Sequence, residues 1–446
     1  MPLRPLDRWV NQRLGRPADG PPPSPDELRR WQMERLRRTL AHAKERSPFY
    51  RHQLAHITPE SLCATAHMER VPRLEPHILR ERPHDLLCSS QDDVARAVTL
   101  SSSGSSGAPK RLFFTAGDLE RTTDFFRHGM AQFIAPGDSV LAILPASRPG
   151  GVSHILGDAV TRCGGAVHTA ADPTDIPSLC RTVLDAKVRC IVGPPVHVLA
   201  LARLLRAWKT DSPMRAALLC WDTVHDTVAS AITKALGCVT FRHWGMTETC
   251  LGGGVDCLLG TGMHLRAPDL FCEVTDPVTG APVPDGADGE LVLTTLSRRA
   301  MPLIRYRTGD VARIAPGVCP CGSPLPRLEA LSGRLDGGIP LPDNTRLTMG
   351  DIDRVALALP GVLDVTATYD PPSATLTVHL YTTGEHAVPP RCSTLTTALS
   401  ALPAISNAMD AGGMRLCASV EASDGTIATA FAKRTIAYRH KEVALP

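Results

Sequence analysis

Apolar and polar positions change period several times along the chain. From position 24 to 54 the stretch SPDELRRWQMERLRRTLAHAKERSPFYRHQL sets its apolar residues at helical spacing, with Ser24 and Pro25 as start signals and a break expected before Pro48. ARAVTL and RLFFT then read as two strands, joined by a Ser/Gly tip that Pro109 stiffens into a pinned hairpin. DSVLAILPA, GAVHTA, VRCIVGPP, RAALLCWD and VTFRHWG are short strand-like runs, several of them separated by helical stretches such as GGVSHILGDAVTRC, VHVLALARLLRAW and TVASAITKALG. That alternation predicts parallel strands with covering helices. FCEVTDPVTGAPVPDGADGELVLTTL has strands divided by Pro/Gly/Asp turns, which predicts an antiparallel section. The period breaks from Ser332 to Asn344, where Gly and Pro density rises. Beyond it a capped helix, two strands and a second helix predict a small α+β domain of roughly 110 residues. The fold class expected is α/β, with mixed sheets and covering helices in a large first domain and a small α+β domain at the C-terminus.

At 446 residues the chain exceeds what one core supports, so function is expected between domains. The 48 basic and 45 acidic residues leave a net charge of +3 with no charge run, which argues against nucleic acid or an anionic membrane and favours small-molecule partners. MPLRPLDRWVNQRLG lacks a signal-length apolar core and no run approaches ~18 apolar residues, so the expected location is cytoplasmic. A homodimer would be unsurprising. The fourteen cysteines read mainly as reduced, buried packing residues.

Four stretches carry candidate chemistry. LSSSGSSGAPKRLFF puts Ser102, Ser103, Gly104, Ser105, Ser106 and Gly107 ahead of Lys110, a donor-rich nest for phosphate oxygens or a flexible low-complexity tip; it lacks the Walker spacing. FRHWGMTETC places Trp244, Gly245, Thr247 and Glu248 at the end of a predicted strand, where a ring, a hydroxyl and a carboxylate suit a base, a phosphate and Mg²⁺; a plain turn with a half-buried Trp is the other reading. MPLIRYRTGD offers Arg305, Arg307 and, at a tight turn after Gly309, Asp310 for ribose hydroxyls or a surface ion pair. VDCLLGTGMHLR and GVCPCG supply Cys257, His264, Cys319 and Cys321, a Cys₃His set suited to structural Zn²⁺ or reduced thiols in a turn. His154 is either a wall of an acyl pocket or a structural histidine.

In order and rough spacing SSGSSGAPK, HWGMTE, GELVLTTL with MPLIRYRTGD, and SGRLDG resemble the adenylate-forming (AMP-dependent) acyl-CoA ligases, most closely the phenylacetate-CoA ligase branch. LAHAKERSPFYRHQL, CPCGSPLPRLEALSGR and LPGVLDV extend the resemblance over most of the chain. It implies an adenylation domain at 1–333, a mobile small domain at 337–446 and a hinge at Arg334–Asp336, with Asp336 as pivot. It also implies ATP, CoA, Mg²⁺ and a carboxylic acid as reactants and cofactors, and strengthens the case for zinc. The loop from Ser102 to Gly107 and Lys110 would hold the β- and γ-phosphates, Thr247 the α-phosphate and Glu248 the Mg²⁺. Trp244 and Gly245 would border adenine and the acyl pocket, Asp310 would bind the ribose, and Arg334 would sit beside it.

Two positions depart from the family pattern. Where a GKAKR-like segment carries the catalytic lysine, this chain reads AFAKR, with Phe431 at the lysine position and Lys433 two residues on; either Lys433 substitutes or adenylation is slow. Gly337 stands where a second Asp is usual in the hinge. The alternatives are a degenerate ligase kept as a nucleotide-binding or assembly subunit, and an adenylating enzyme with another acceptor, such as a deazaflavin coenzyme.

Overall fold

The computed structural model describes residues 4–100, 109–145, 148–341, 345–383, 390–431 and 433–439. It is an α/β protein in two compact units, each assembled from separate parts of the chain.

The first unit takes 1–136, 147–165 and 241–335. The helix Pro25–Arg46 starts at a capping box, in which Glu27 N–H donates to Ser24 Oγ and Ser24 N–H to the Glu27 carboxylate at 2.7 Å. Such a cap stabilises a helix by about 1 kcal/mol. Its buried stripe, Leu28, Gln32, Met33, Leu36, Thr39, Leu40 and Ala43, keeps the helical period, and Met33, Leu36, Leu40 and Ala43 join a core that includes Tyr50, Leu74, Leu291, Leu293 and Leu328. Strands Val94–Leu100 and Lys110–Thr115 pair antiparallel, as a hairpin requires. The main sheet of this unit is antiparallel, running through Leu270–Thr275, Asp288–Thr295, Tyr306–Ile314, Arg327–Arg334, Met263–Leu265 and Gly254–Asp256 to the end of Val239–Trp244.

The second unit takes 137–146, 166–240 and 336–446. Four parallel strands lie in the order Ala166–Thr169, Ser139–Ala142, Cys190–Gly193 and Ala216–Leu219, the arrangement that the strand–helix alternation predicts. A second sheet orders Arg415–Ser423, Thr375–Thr383, Val362–Asp370 and Ala437–Tyr438. The helix Pro195–Ala207 is apolar on nearly every side, with Val196, Val198, Leu199, Leu201, Leu204 and Leu205 buried, because it packs on the parallel strands and on the strand Val362–Asp370. Arg203 from this helix donates to the carbonyls of Leu357, at 2.7 Å, and Val362. One hydrophobic core therefore runs from Leu141 and Ile191 to Leu376 and Leu380. The chain leaves the first unit at Leu335 and is in the second from Asp336, within the stretch read as a hinge. Among the described residues no helix is long and apolar enough to cross a membrane.

Candidate active site

The strand Val239–Trp244 ends where backbone conformation becomes unusual. His243 and Trp244 pair with Val255 and Gly254, and between them the chain makes a 3-10 turn at Thr247–Thr249 followed by Cys250 and Leu251 at φ 58° and 73°. Left-handed non-glycine residues cost about 1–3 kcal/mol each and persist where the surroundings hold them. Here Leu251 N–H returns to Met246 O at 2.9 Å, Gly253 N–H to Trp244 O at 3.0 Å, and Thr249 Oγ1 bonds both backbone groups of Met246. Gly245 lies inside this turn: a Cβ there would stand 1.9 Å from Leu251 O and 2.9 Å from His243 Cε1. Gly245→Ala is expected to destabilise the protein by about 1–3 kcal/mol, the range for overpacking, and to displace Thr247 and Glu248. An unchanged denaturation midpoint together with unchanged activity would refute this account of the turn.

The turn presents Glu248, whose side chain is 4% exposed, to two partners from distant strands. Lys110 Nζ lies 3.1 Å from Glu248 Oε1, Tyr306 Oη donates to the same oxygen at 2.9 Å, and Lys110 donates to Tyr306 Oη at 2.9 Å. Burial alone would raise the Glu248 pKa, but the Lys110 ammonium and these hydrogen bonds hold it below the usual carboxylate value, so the group is ionised. Buried Arg298 donates to the Glu248 carbonyl at 2.6 Å and fixes the backbone from the other side.

A second group adjoins the first around Tyr306. Trp244 Nε1 donates to Asp310 Oδ2 at 3.3 Å, and Arg334 Nη1 to Asp310 Oδ1 at 3.0 Å. Asp310 is not at a tight turn, as the sequence suggests; it lies within the strand Tyr306–Ile314, paired with Arg334 of the neighbouring strand. Gly309 makes this work at φ 76°, since a side chain there would come 2.8 Å from Arg334 Nη2. Arg305 and Arg307, singled out beside Asp310, hold structure. Arg305 at φ 48° is buried, pairs with Glu273 and donates to the carbonyls of Glu69, Val71 and Gly280. Arg307 pairs with Glu290 and Glu75.

Cys257, His264, Cys319 and Cys321 come together as the sequence suggests, with their ligand atoms all within 4.8 Å of one another. Cys257 Sγ to Cys319 Sγ is 3.7 Å and Cys321 Sγ to His264 Nε2 is 3.3 Å, hydrogen-bond separations that also lie close to the ~3.8 and ~3.6 Å edges of a tetrahedron built on Zn–S of about 2.3 Å and Zn–N of about 2.0–2.1 Å. Burial lowers the His264 pKa to about 4, so its imidazole is neutral, the form that binds metal. Leu259 N–H points at Cys257 Sγ and Thr261 Oγ1 lies 3.2 Å from Cys319 Sγ, donors of the kind that steady thiolates.

Ser102, Ser103, Gly104, Ser105, Ser106 and Gly107 lie outside the described residues. Thr247 is half-buried at the head of the 3-10 turn. In the second unit Lys433 is exposed, while Phe431 stacks on buried His197 with centroids 6.2 Å apart and planes at 19°. His154 sits on a helix surface 3.6 Å from Asp158. Sequence reading passed over Tyr306 and Arg298; the one available signal was that Tyr306 is the sole aromatic residue in MPLIRYRTGD, four residues before Asp310.

A model of the AMP-binding enzyme family matches residues 30–297, more than half the chain. Phenylacetate-coenzyme A ligase of Thermus thermophilus is 29% identical over 359 residues, covering 76% of this chain and 77% of that protein. The Pseudomonas putida protein of the same name is 28% identical over 333 residues, covering 70% of this chain and 72% of that one. Among solved structures, 2-hydroxyisobutyryl-CoA ligase in its postadenylation state superposes with a TM-score of 0.76 at 20% identity, covering 92% of this chain and 89% of that one. The family match, spread over the turn and strands that hold Lys110, Trp244 and Glu248, is sufficient for assignment: the chain belongs to the family of AMP-binding enzymes.

Proposed function

We propose that the chain is an AMP-forming acid–CoA ligase: a carboxylate attacks the α-phosphorus of ATP and expels pyrophosphate, and the CoA thiolate then attacks the acyl carbon and expels AMP. The observation that carries this reading is the pair of adjoining clusters, Lys110–Glu248–Tyr306 and Trp244–Asp310–Arg334, gathered at the end of one strand in a chain of this family. Lys110, with the loop of Ser102 to Gly107, binds the outer phosphates, and Thr247 donates to the α-phosphate. Trp244 and Gly245 border adenine and the acyl chain, Asp310 accepts from the ribose hydroxyls, and Arg334 orients Asp310. Glu248 holds Mg²⁺, which when bound neutralises phosphate charge. Lys433 is the lysine of the first half-reaction in place of Phe431. Cys257, His264, Cys319 and Cys321 hold a structural Zn²⁺ that ties their two loops together. With its small-molecule reactants and lack of a charge run, the chain works in the cytoplasm.

The test is pyrophosphate release across aryl and short-chain acids with ATP and Mg²⁺, followed by thioester formation on adding CoA. Release that depends on one acid is the expected result. ATP binding without AMP formation for any acid would overturn the ligase reading in favour of a nucleotide-binding subunit.

A further inference from the structure

The segment 426–436 carries a buried guanidinium that the proposed reaction does not use. Arg434 has a side chain only 6% exposed. Its Nε and Nη2 grip Asp353 in a two-point fork at 2.9 and 2.7 Å, Nη1 donates to Asp364 at 2.8 Å and to Thr429 Oγ1, and Nη2 donates to Val365 O at 2.6 Å. All five N–H donors of a guanidinium are thereby engaged, a geometry that lysine cannot reproduce. The acceptors are themselves fixed. Asp364, fully buried, also takes Thr429 N–H at 2.8 Å, Thr429 Oγ1 at 2.9 Å and Val365 N–H at 2.8 Å, while Asp353 lies on the helix Met349–Ala356.

Around this anchor the segment is held on its other side too. Ile427 N–H donates to Thr174 O at 3.1 Å, Thr426 bridges Asp175, and Phe431 lies on His197. The Arg434 backbone N–H faces the carboxylate of Asp222, just beyond the strand Ala216–Leu219. Lys433, next to this anchor in sequence, is exposed. Removing one partner of a buried ion pair is strongly destabilising, so this network holds the register that packs positions 431 and 434 against the fold and exposes 433.

We propose that Arg434 is a positioning residue for acid activation: by its five-donor anchorage to Asp353, Asp364, Thr429 and Val365 it holds Lys433 in the register in which Lys433 replaces the lysine missing at position 431. The proposal rests on the ligase reading and on Lys433 as its lysine.

The test is a double-mutant cycle of Lys433→Ala and Arg434→Lys, measured in each half-reaction. Arg434→Lys keeps a charge for Asp353 and Asp364, so the fold is retained, and thermal denaturation checks this. Acid-dependent pyrophosphate release is expected to fall about 10²-fold in Lys433→Ala, at least about 10-fold in Arg434→Lys, and no further in the double variant than in Lys433→Ala. Thioester formation from supplied acyl-adenylate and CoA should stay within about twofold of the parent in all three. Additive losses in the first half-reaction, or an equal loss in the second, would show a structural role only and overturn the proposal, as would full activity in Lys433→Ala. A parent chain inactive with every acid would defeat the ligase reading instead. The positioning role is then read without turnover, from ATP-protected labelling of Lys433 by pyridoxal phosphate and borohydride: labelling lost in Arg434→Lys supports it, and equal labelling in both refutes it.

Discussion

Glu248→Gln is expected to lower acid-dependent pyrophosphate release by about 10²- to 10³-fold at fixed Mg²⁺, the scale for removing one preorganised charge from a site where charge develops. Glutamine keeps the shape and can still accept from Tyr306 Oη, now 2.9 Å from the carboxylate oxygen, so the turn at Thr247–Thr249 should survive. What it lacks is the negative charge that faces Lys110 at 3.1 Å. Without it the variant lacks the proposed Mg²⁺ ligand and leaves the Lys110 ammonium, 17% exposed, without a counter-charge. The stability cost should be about 1–3 kcal/mol, toward the low end because Lys110 still reaches water. The pH dependence has a definite sign. The Glu248 pKa is lowered on folding, so its contribution is complete above the unfolded carboxylate value and is lost as pH falls through the lowered one. The gap between parent and variant in denaturant titrations should thus be constant around neutrality and close only at acid pH. Pyrophosphate release unchanged in Glu248→Gln would remove Glu248 from the catalytic set.

The features legible in the sequence are those whose cause is local. The helix start at Ser24 and Pro25, the hairpin between 94 and 115 and the strand–helix alternation from 138 to 245 each depend on residues a few positions apart, and the structure contains all three. The four zinc-type ligands were legible because two short loops each bring a pair of them. Arg305 and Arg307 looked like chemistry because their partners, Glu273, Glu75 and Glu290, come from strands and loops that only the folded sheet brings near. Tyr306 is not legible in the sequence for the same reason: its contacts depend on meeting Lys110 and Glu248, 196 and 58 positions away. Asp310 was misplaced onto a turn because a Gly-Asp pair ordinarily signals one; at φ 76° Gly309 instead allows an irregular strand to continue against Arg334.

The other large effect concerns the cysteine cluster. The purified chain is expected to carry about one equivalent of zinc, and Cys319→Ser with Cys321→Ser is expected to carry none and to unfold at lower temperature. The loop from Cys257 turns back through Gly260 and Gly262 at φ 67° and 105°, and the loop to Cys321 through Gly317 and Gly322 at φ 67° and 85°. The backbone bonds Cys257 N–H to Gly262 O at 2.9 Å, Gly260 N–H to Cys257 O at 2.8 Å and Gly322 N–H to Cys319 O at 2.8 Å are local to each loop, while the Arg327 side chain reaches both, donating to Thr261 O at 2.8 Å and Pro316 O at 3.4 Å. A shared metal would join them, stabilising the folded chain by about 4 kcal/mol where free zinc exceeds its dissociation constant about a thousandfold. The effect should reach the proposed nucleotide-binding residues along the sheet. His264 pairs with Arg327 at the start of the strand whose far end, Arg334, holds Asp310. A loosened cluster therefore frees one end of the strand that orients the proposed ribose carboxylate, and ATP affinity should fall together with thermal stability. Chelation of the parent should reproduce both losses and added zinc should reverse them, whereas the double variant should not respond. A parent chain that is metal-free and equally stable would show instead that the three thiols and the imidazole pack without a metal.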